Sequence, residues 1–387
     1  MDRKSFLGSA AAAFGALLSA ACKRQPQDRA ATAAPAAPTP GKAEQLLDRV
    51  FQHNTGALMI GAAYIGDRLG LFKSMAGAGP LTADQLATRT GFAPRYVLEW
   101  LRAMASSGYL EYQPAAATFL LPPEHASVLV DEKSPVFAGG VSQGTVADIM
   151  MTPRVMDAFR TGKGIPYGDY PPDTFESIER SSRPDFLHQI AQQWIPAIPG
   201  MTERLQAGGA TADLGSGAGH ASIALARAFP KVRAVGFEPY APSVVRARQN
   251  AKEAGLAGRV QFDTFDGVHV PGGPYQLITV NYALHHAGDP AGLLRSARGA
   301  LAPDGAVLVA EYRRSERLEE DINTIRQLCY GYGLLECLPS ALAEGGPGFG
   351  TGMTESDARR VSQQAGFSQF TRILPDDPIR SFFVLRG

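Results

Sequence analysis

Cysteine is scarce in this chain of 387 residues, which has only Cys22, Cys329 and Cys337. An odd number gives no disulfide framework, and none of the spacings is that of a metal-ligating set, so no metal is expected. Cys329 and Cys337 read as buried thiols. Excess charge is also missing. Lys plus Arg and Asp plus Glu stand at 37 each, so no global field holds a nucleic-acid backbone or an anionic membrane surface. The apolar run at 6–21 would extend about 24 Å as a helix, short of the roughly 30 Å of hydrocarbon a permanent span has to cross. What is present, 45% hydrophobic and 19% charged residues, is an ordinary globular composition, enough for more than one domain.

The start of the chain differs from the rest. Arg3 and Lys4 precede the apolar run, which closes at Cys22, giving residues 1–22 the layout of an export leader. Arg3-Lys-Ser-Phe-Leu7 resembles a twin-arginine signal with Lys4 in place of the second arginine. Ser19-Ala-Ala-Cys22 resembles a lipobox with Leu18 one place early, which makes Cys22 a candidate lipid anchor. A plain N-terminal extension on a cytoplasmic chain is the alternative. Residues 23–41, rich in Ala, Pro and Gln, cannot build a core and read as a tether.

From Lys42 the apolar residues take helical spacings: Leu46, Leu47, Val50 and Phe51, then Leu58, Met59, Ile60, Ala63 and Ile65, with a nearly continuous apolar surface. A short helix opens at Leu81-Thr-Ala-Asp84, a turn follows at Gly91-Phe-Ala-Pro94, and a second helix covers 95–107. Segments 108–112 and 118–121 then pair as a hairpin. Helix, turn, helix and hairpin make residues 42–140 a winged-helix unit. A winged helix can read DNA, but here Lys42, Arg49, Arg68, Lys73, Arg89, Arg95, Arg102 and Lys133 are outnumbered by one by the acidic residues. The second helix offers only Arg95 and Arg102. The unit is therefore expected to mediate homodimerisation and to cover a small-molecule site, without binding nucleic acid. Residues 141–210 read as a helical connector, with a Gly- and Tyr-containing loop at 159–170 and an amphipathic helix at 186–198.

Beyond the connector, residues 211–387 alternate strands with helices. Runs at 212–214, 232–238, 260–266, 277–284 and 306–312 have strand length, which implies an α/β fold with a parallel sheet covered by helices. The segments 370–374 and 381–385, joined through Pro375-Asp-Asp-Pro378, read as a closing antiparallel hairpin. Ligands bind such sheets at the carboxyl ends of the strands. Three acids stand there: Asp213 beside the loop Asp213-Leu-Gly-Ser-Gly-Ala-Gly219, Glu238 after the second strand and Asp266 after the third. Gly215, Gly217 and Gly219 let backbone approach a nucleoside or amino-acid moiety. Glu238 suits two ribose hydroxyls, and Asp266 an adenine amino group. A dinucleotide fingerprint would place Gly or Ala where His220 stands, which counts against a nicotinamide-dependent oxidoreductase.

With these motifs in view, residues 42–387 resemble the class I S-adenosylmethionine-dependent methyltransferases that carry an N-terminal winged-helix domain, among them winged-helix O-methyltransferases. The stretches that carry the resemblance are the 213–219 loop, Val235-Gly-Phe-Glu238, Leu284-His-His-Ala-Gly-Asp-Pro290, Leu301-Ala-Pro-Asp-Gly305 and Ala343-Glu-Gly-Gly-Pro-Gly-Phe-Gly-Thr351. The resemblance implies a Rossmann-like sheet of seven strands, S-adenosylmethionine as methyl donor and a small, partly apolar acceptor. It also implies His285 as general base with Glu311 as its acidic partner. The family's His-Asp-x-x-Asp pattern places its last aspartate on Asp289, but His286 replaces the aspartate after the base, so either histidine could face the site. Tyr330, Tyr332, Leu334, Leu335 and Phe349 are expected to wall an acceptor pocket. A regulator that binds the same ligand without catalysis is the alternative. An export leader conflicts with a cofactor made in the cytoplasm.

Overall fold

The computed structural model describes residues 40–387; the leader, Cys22 and residues 23–39 of the tether lie outside the described residues. Pro40 and Gly41 already belong to the first described helix, Pro40–Arg68, which is one continuous element of 29 residues in place of the separate helices expected there. No proline interrupts it after its first residue, and its glycines are tolerated at a cost of roughly 1 kcal/mol each. One of them is required: a Cβ on Gly66 would lie 2.5 Å from the Trp100 ring. Trp100 in turn donates its indole N–H to Ala62 O at 2.9 Å, which fastens this helix to Pro94–Ser106.

The winged-helix unit forms as its pattern predicts. Helix Ala83–Thr90 begins with a capping box, in which Thr82 accepts from the Gln85 amide and the Gln85 side chain accepts from the Thr82 amide. Strands β1 (Glu111–Gln113) and β2 (Thr118–Leu120) pair antiparallel. Leu81 bonds Phe119 through both backbone groups, adding a bridge to this wing. Phe72, Met75, Leu86, Leu101, Met104 and Leu121 fill the unit's own core.

The connector departs from expectation in two places. The segment 159–170 opens inside a helix, Thr152–Thr161, and ends in a 3₁₀ turn, Tyr167–Asp169. The helix expected at 186–198 is split: Pro172–His188 gives way to a π-helical turn, Ile190–Trp194. Ile190, Trp194, Ile195 and Ile198 are all buried in one core with residues of the sheet.

Seven strands form the large sheet: β3 (Gly209–Leu214), β4 (Val232–Glu238), β5 (Val260–Thr264), β6 (Tyr275–Asn281), β7 (Leu301–Tyr312), β8 (Gln369–Ile373) and β9 (Arg380–Arg386). Their order is β5-β4-β3-β6-β7-β9-β8, with β9 antiparallel to both of its neighbours and the remaining pairs parallel. The order reverses between β3 and β6, so the carboxyl ends of these two strands open the crevice in which ligands of doubly wound sheets sit. Alternating residues feed two cores, with Leu277 and Leu308 on one face and Ile278, Val307 and Val309 on the other.

Helix Pro172–His188 ties the parts together through consecutive residues. Arg180 pairs with Asp67 at 2.7 and 2.9 Å, with Glu132 at 3.0 Å and with Gln143 at 2.8 Å. Glu179, also buried, meets His220 at 3.0 Å, Arg183 and Arg246 at 2.8 Å, and Asn250 at 3.2 Å. Burial alone would raise the Glu179 pKa, but hydrogen bonds from His220 and Arg246 outweigh it and hold the carboxyl well below the usual range. Glu179→Ala is expected to destabilise the fold by about 3 kcal/mol, since it leaves buried cations without their partner. Denaturant titration checks this. A depressed folded-state pKa stabilises above the unfolded value and is lost on acidification, so the wild type should lose more stability than the variant below about pH 4.

Candidate active site

The glycine loop bends out of β3 and into helix His220–Ala228 with Gly215, Gly217 and Gly219 at φ +69°, +50° and +82°. Their roles divide by what a Cβ would meet. At Gly215 it would lie 2.5 Å from the Ala283 Cβ, and at Gly219 2.4 Å from the Phe262 ring, so both are packing requirements. At Gly217 nothing lies within 4 Å. The space beside that residue is open.

Asp213 is buried. It accepts from Thr279 Oγ1 at 2.7 Å and Asn281 Nδ2 at 3.0 Å, and burial pushes its pKa up to about 7. These bonds tie the end of β3, where the loop begins, to β6. Glu238 ends β4, is buried, and has its pKa raised by burial. Its oxygens accept the Gly217 amide at 2.9 Å and the Tyr240 amide at 3.0 Å, which holds the carboxylate against the loop with a lone pair left on each oxygen. Asp266 departs from the expected setting, because β5 ends at Thr264 and Asp266 falls in an exposed turn. Its carboxylate is occupied by the amides of Val268 and His269 and by the His269 ring at 2.6 Å, bonds that hold its pKa well below the usual range.

The chain leaves β6 through Tyr282, whose φ of +55° is rare for a bulky residue, and turns into a 3₁₀ segment, Leu284–His286. Tyr282 is held by a hydrogen bond to Asp185 at 2.6 Å. The turn places His285 under the end of β7. Its Nδ1 lies 2.6 Å from Glu311 Oε2, and its own amide donates to Glu311 Oε1 at 3.1 Å. Both residues are essentially inaccessible, at 1% and 0% exposure. His286 turns to Ser340, with Nδ1 3.0 Å from Oγ. Burial, and then the neighbouring His285, drive its pKa well below the ordinary value, so it is neutral. Asp289 caps helix Pro290–Gly299 by accepting the Gly292 amide at 2.8 Å.

The glycine-rich segment 343–351 packs behind this turn. A Cβ on Gly288 would lie 2.3 Å from Glu344 O, and one on Gly346 would lie 2.6 Å from Ala287 O, so two backbones touch there. Of the expected pocket wall, Phe349 is in the core, Tyr332 bonds Thr145 and Val141, and Tyr330 and Leu334 are exposed. Cys337 is buried, Cys329 half-buried, and both are free thiols. Cys337, His285 and His286 each bring a possible ligand atom within 4.8 Å of the others. Burial, and then Glu336, push the Cys337 thiol pKa well above its ordinary value.

Sequence reasoning missed several groups. Ser216 Oγ and Asn281 Oδ1 are buried beside the loop without a hydrogen-bond partner, orphans that a bound polar ligand would satisfy. Tyr167, Phe175 and Tyr240 stack together beyond Glu238, with ring centroids 4.5 to 5.7 Å apart. Two of these come from the connector, where the sequence marked a Tyr-containing loop at 159–170 but gave no sign that its ring would meet Phe175 and Tyr240. Unsatisfied polar atoms, open backbone at Gly217 and an anchored carboxylate at Glu238 together fit a ligand with a ribose and an amino-acid end.

Such a crevice on such a sheet is where doubly wound α/β folds bind nucleotide-type ligands. The comparisons give the family: residues 186–367 match the family described as "Methyltransferase domain", and residues 55–131 match the "Rv2258c-like winged HTH domain". The chain is a winged-helix methyltransferase of the S-adenosylmethionine-dependent class. Acetylserotonin O-methyltransferase from Mus musculus is 28% identical over 84% of this chain and 84% of its own. The mitomycin 7-O-methyltransferase structure superposes with a TM-score of 0.67 at 21% identity, covering 90% of this chain and 99% of that one. Human N-acetylserotonin methyltransferase in complex with SAM superposes at 0.65 with 19% identity, covering 92% and 99%.

Gly219→Ala is expected to lower stability by about 2 to 4 kcal/mol, from overpacking against Phe262 plus the left-handed backbone. Gly217→Ala should cost only the backbone share, about 1 to 2 kcal/mol. Thermal melts of the two variants side by side test the division.

Proposed function

We propose that this enzyme methylates an oxygen of a small, partly apolar acceptor, with His285 taking the hydroxyl proton. The buried bond between His285 Nδ1 and Glu311 carries this reading. Glu311 accepts the Nδ1 proton and so fixes the tautomer whose Nε2 lone pair is free; it also stabilises the imidazolium formed when Nε2 receives a proton. The neutral His286, spent on Ser340, has neither property. The names of two relatives support oxygen as the acceptor atom, one acting on acetylserotonin and one on mitomycin.

S-adenosylmethionine, when bound, supplies a methyl group activated by a sulfonium, so the protein has to align two partners and remove one proton. Glu238 would take the ribose hydroxyls, and the bare backbone around Gly217, with Ser216 and Asn281, would take the amino-acid end. Asp213, Gly215 and Gly219 support that surface from beneath. For Asp266 to meet the adenine amino group, His269 has to release it. Exposed Leu58 and Ile65 on the first helix, at 71% and 48%, suit pairing with a second copy, a homodimer through residues 42–140. The nearly balanced charge of that unit argues against nucleic acid as its partner.

His285→Ala should lower kcat about 10² to 10⁴-fold, the range general-base catalysis commands, while leaving S-adenosylhomocysteine affinity unchanged. His286→Ala should change kcat far less. Glu238→Ala should weaken S-adenosylhomocysteine about 10- to 100-fold by calorimetry, the worth of a charge-assisted hydrogen bond. Unaltered turnover in the first variant overturns the base, and unaltered affinity in the last overturns the ribose contact.

A further inference from the structure

The bend that carries His285 to Glu311 is made by a residue whose own backbone preference opposes it. Tyr282 is the first residue after β6, and its amide still follows the ladder, donating to Ala310 O at 2.7 Å. Its φ of +55° lies in the left-handed region, where a Cβ crowds the following carbonyl. Glycine or asparagine is the usual occupant of such a position, and a bulky residue keeps it only when its surroundings hold it there.

Three residues supply that hold. The Tyr282 hydroxyl donates to Asp185 Oδ2 at 2.6 Å and accepts from Arg380 Nε at 2.7 Å. Arg380 Nε also reaches Asp185 Oδ2 at 3.0 Å, and its Nη2 meets Oδ1, so phenol, carboxylate and guanidinium close a ring of hydrogen bonds. The Tyr282 ring stacks on Tyr312, with centroids 4.8 Å apart and planes 24° from parallel. Arg380 stands directly opposite Tyr312 where β9 pairs with β7.

Tyr312 follows Glu311, and neighbours on a strand point to opposite faces. Ala306, Leu308 and Ala310 enter one core and Val307 and Val309 the other, which puts Tyr312 on the first face and Glu311 on the second. The stack of Tyr282 on Tyr312 and the bond of His285 to Glu311 at 2.6 Å therefore grip the end of β7 from both sides. Only Ala283 and Leu284 lie between the two gripping residues, so a change of backbone at Tyr282 moves the imidazole.

We infer that Tyr282 is a positioning residue for the methyl transfer: Asp185 and Arg380 fix its phenol, and the fixed phenol holds the left-handed bend that presents His285 to Glu311. The inference rests on the reading of His285 as the base. A displacement of about 1 Å costs a catalytic group up to roughly a hundredfold, so the hold matters to the reaction as well as to the fold.

Proton NMR of the full chain with S-adenosylhomocysteine bound tests the placement. An imidazole Nδ1–H donated to a buried carboxylate resonates far downfield, and absence of the signal from His285→Ala assigns it. Tyr282→Phe removes one oxygen and leaves Asp185 and Arg380 paired with each other, so no charge is stranded. In that variant the downfield signal should be lost, while S-adenosylhomocysteine affinity by calorimetry stays at the wild-type value. Asp185→Asn, which offers the phenol a neutral acceptor, should broaden the signal. Glu179→Ala, which loosens the fold elsewhere, should keep it. Absence of the signal from the wild type overturns the inference, as does its loss in Glu179→Ala or a fall in S-adenosylhomocysteine affinity in Tyr282→Phe. So does an unchanged signal in Tyr282→Phe or, should that variant not fold, in Asp185→Asn. The signal reports where the imidazole is and not whether it takes a proton, so full turnover by His285→Ala would overturn the base and leave this placement standing.

Discussion

Two consecutive side chains of opposite charge, Glu179 and Arg180, are the interaction on which the rest of this structure hangs. They project from one helix turn toward different neighbours: Arg180 toward Asp67, Glu132 and Gln143, Glu179 toward His220, Arg246 and Asn250. Asp67 belongs to the first helix and His220 opens the helix after the glycine loop. One rigid turn therefore sets the distance between the winged-helix unit and the cofactor crevice. Buried ion pairs gain little net stability over apolar packing, but breaking one leaves a stranded charge. They are suited to enforcing one arrangement over its neighbours.

The buried acids divide by whether the protein satisfies them. Asp213 is spent on Thr279 and Asn281, and that bond stiffens the pairing of β3 with β6 under the loop. Glu311 is spent on His285. Glu238 is half spent, anchored by two amides and open to further donors. Asp148 and Glu336 are hardly spent at all. This gradient runs from scaffold to ligand: the more completely the chain satisfies a polar group, the less it has to offer a substrate.

The same distinction explains which glycines matter for what. Gly215 and Gly219 are needed because side chains from Ala283 and Phe262 occupy the space, Gly288 and Gly346 because two backbones touch, and Gly217 because the space beyond it is free. In the sequence these residues look alike. A glycine-rich motif records a need for missing Cβ atoms without saying whether protein or ligand requires it.

Local pattern was enough for much of the fold. The strand runs, the winged-helix hairpin and the closing pair β8 and β9 follow from periodicity and turn residues, because each is decided by neighbours a few positions away. His220 was read from spacing as incompatible with a dinucleotide fingerprint; the structure gives it a partner in Glu179, 41 positions upstream. Strand ends were less legible, and the early stop of β5 is what turned Asp266 toward His269. Which of two adjacent histidines meets an acid was beyond the sequence. It depends on the bend at Tyr282 and on β7 lying next to β6, contacts between residues distant in the chain.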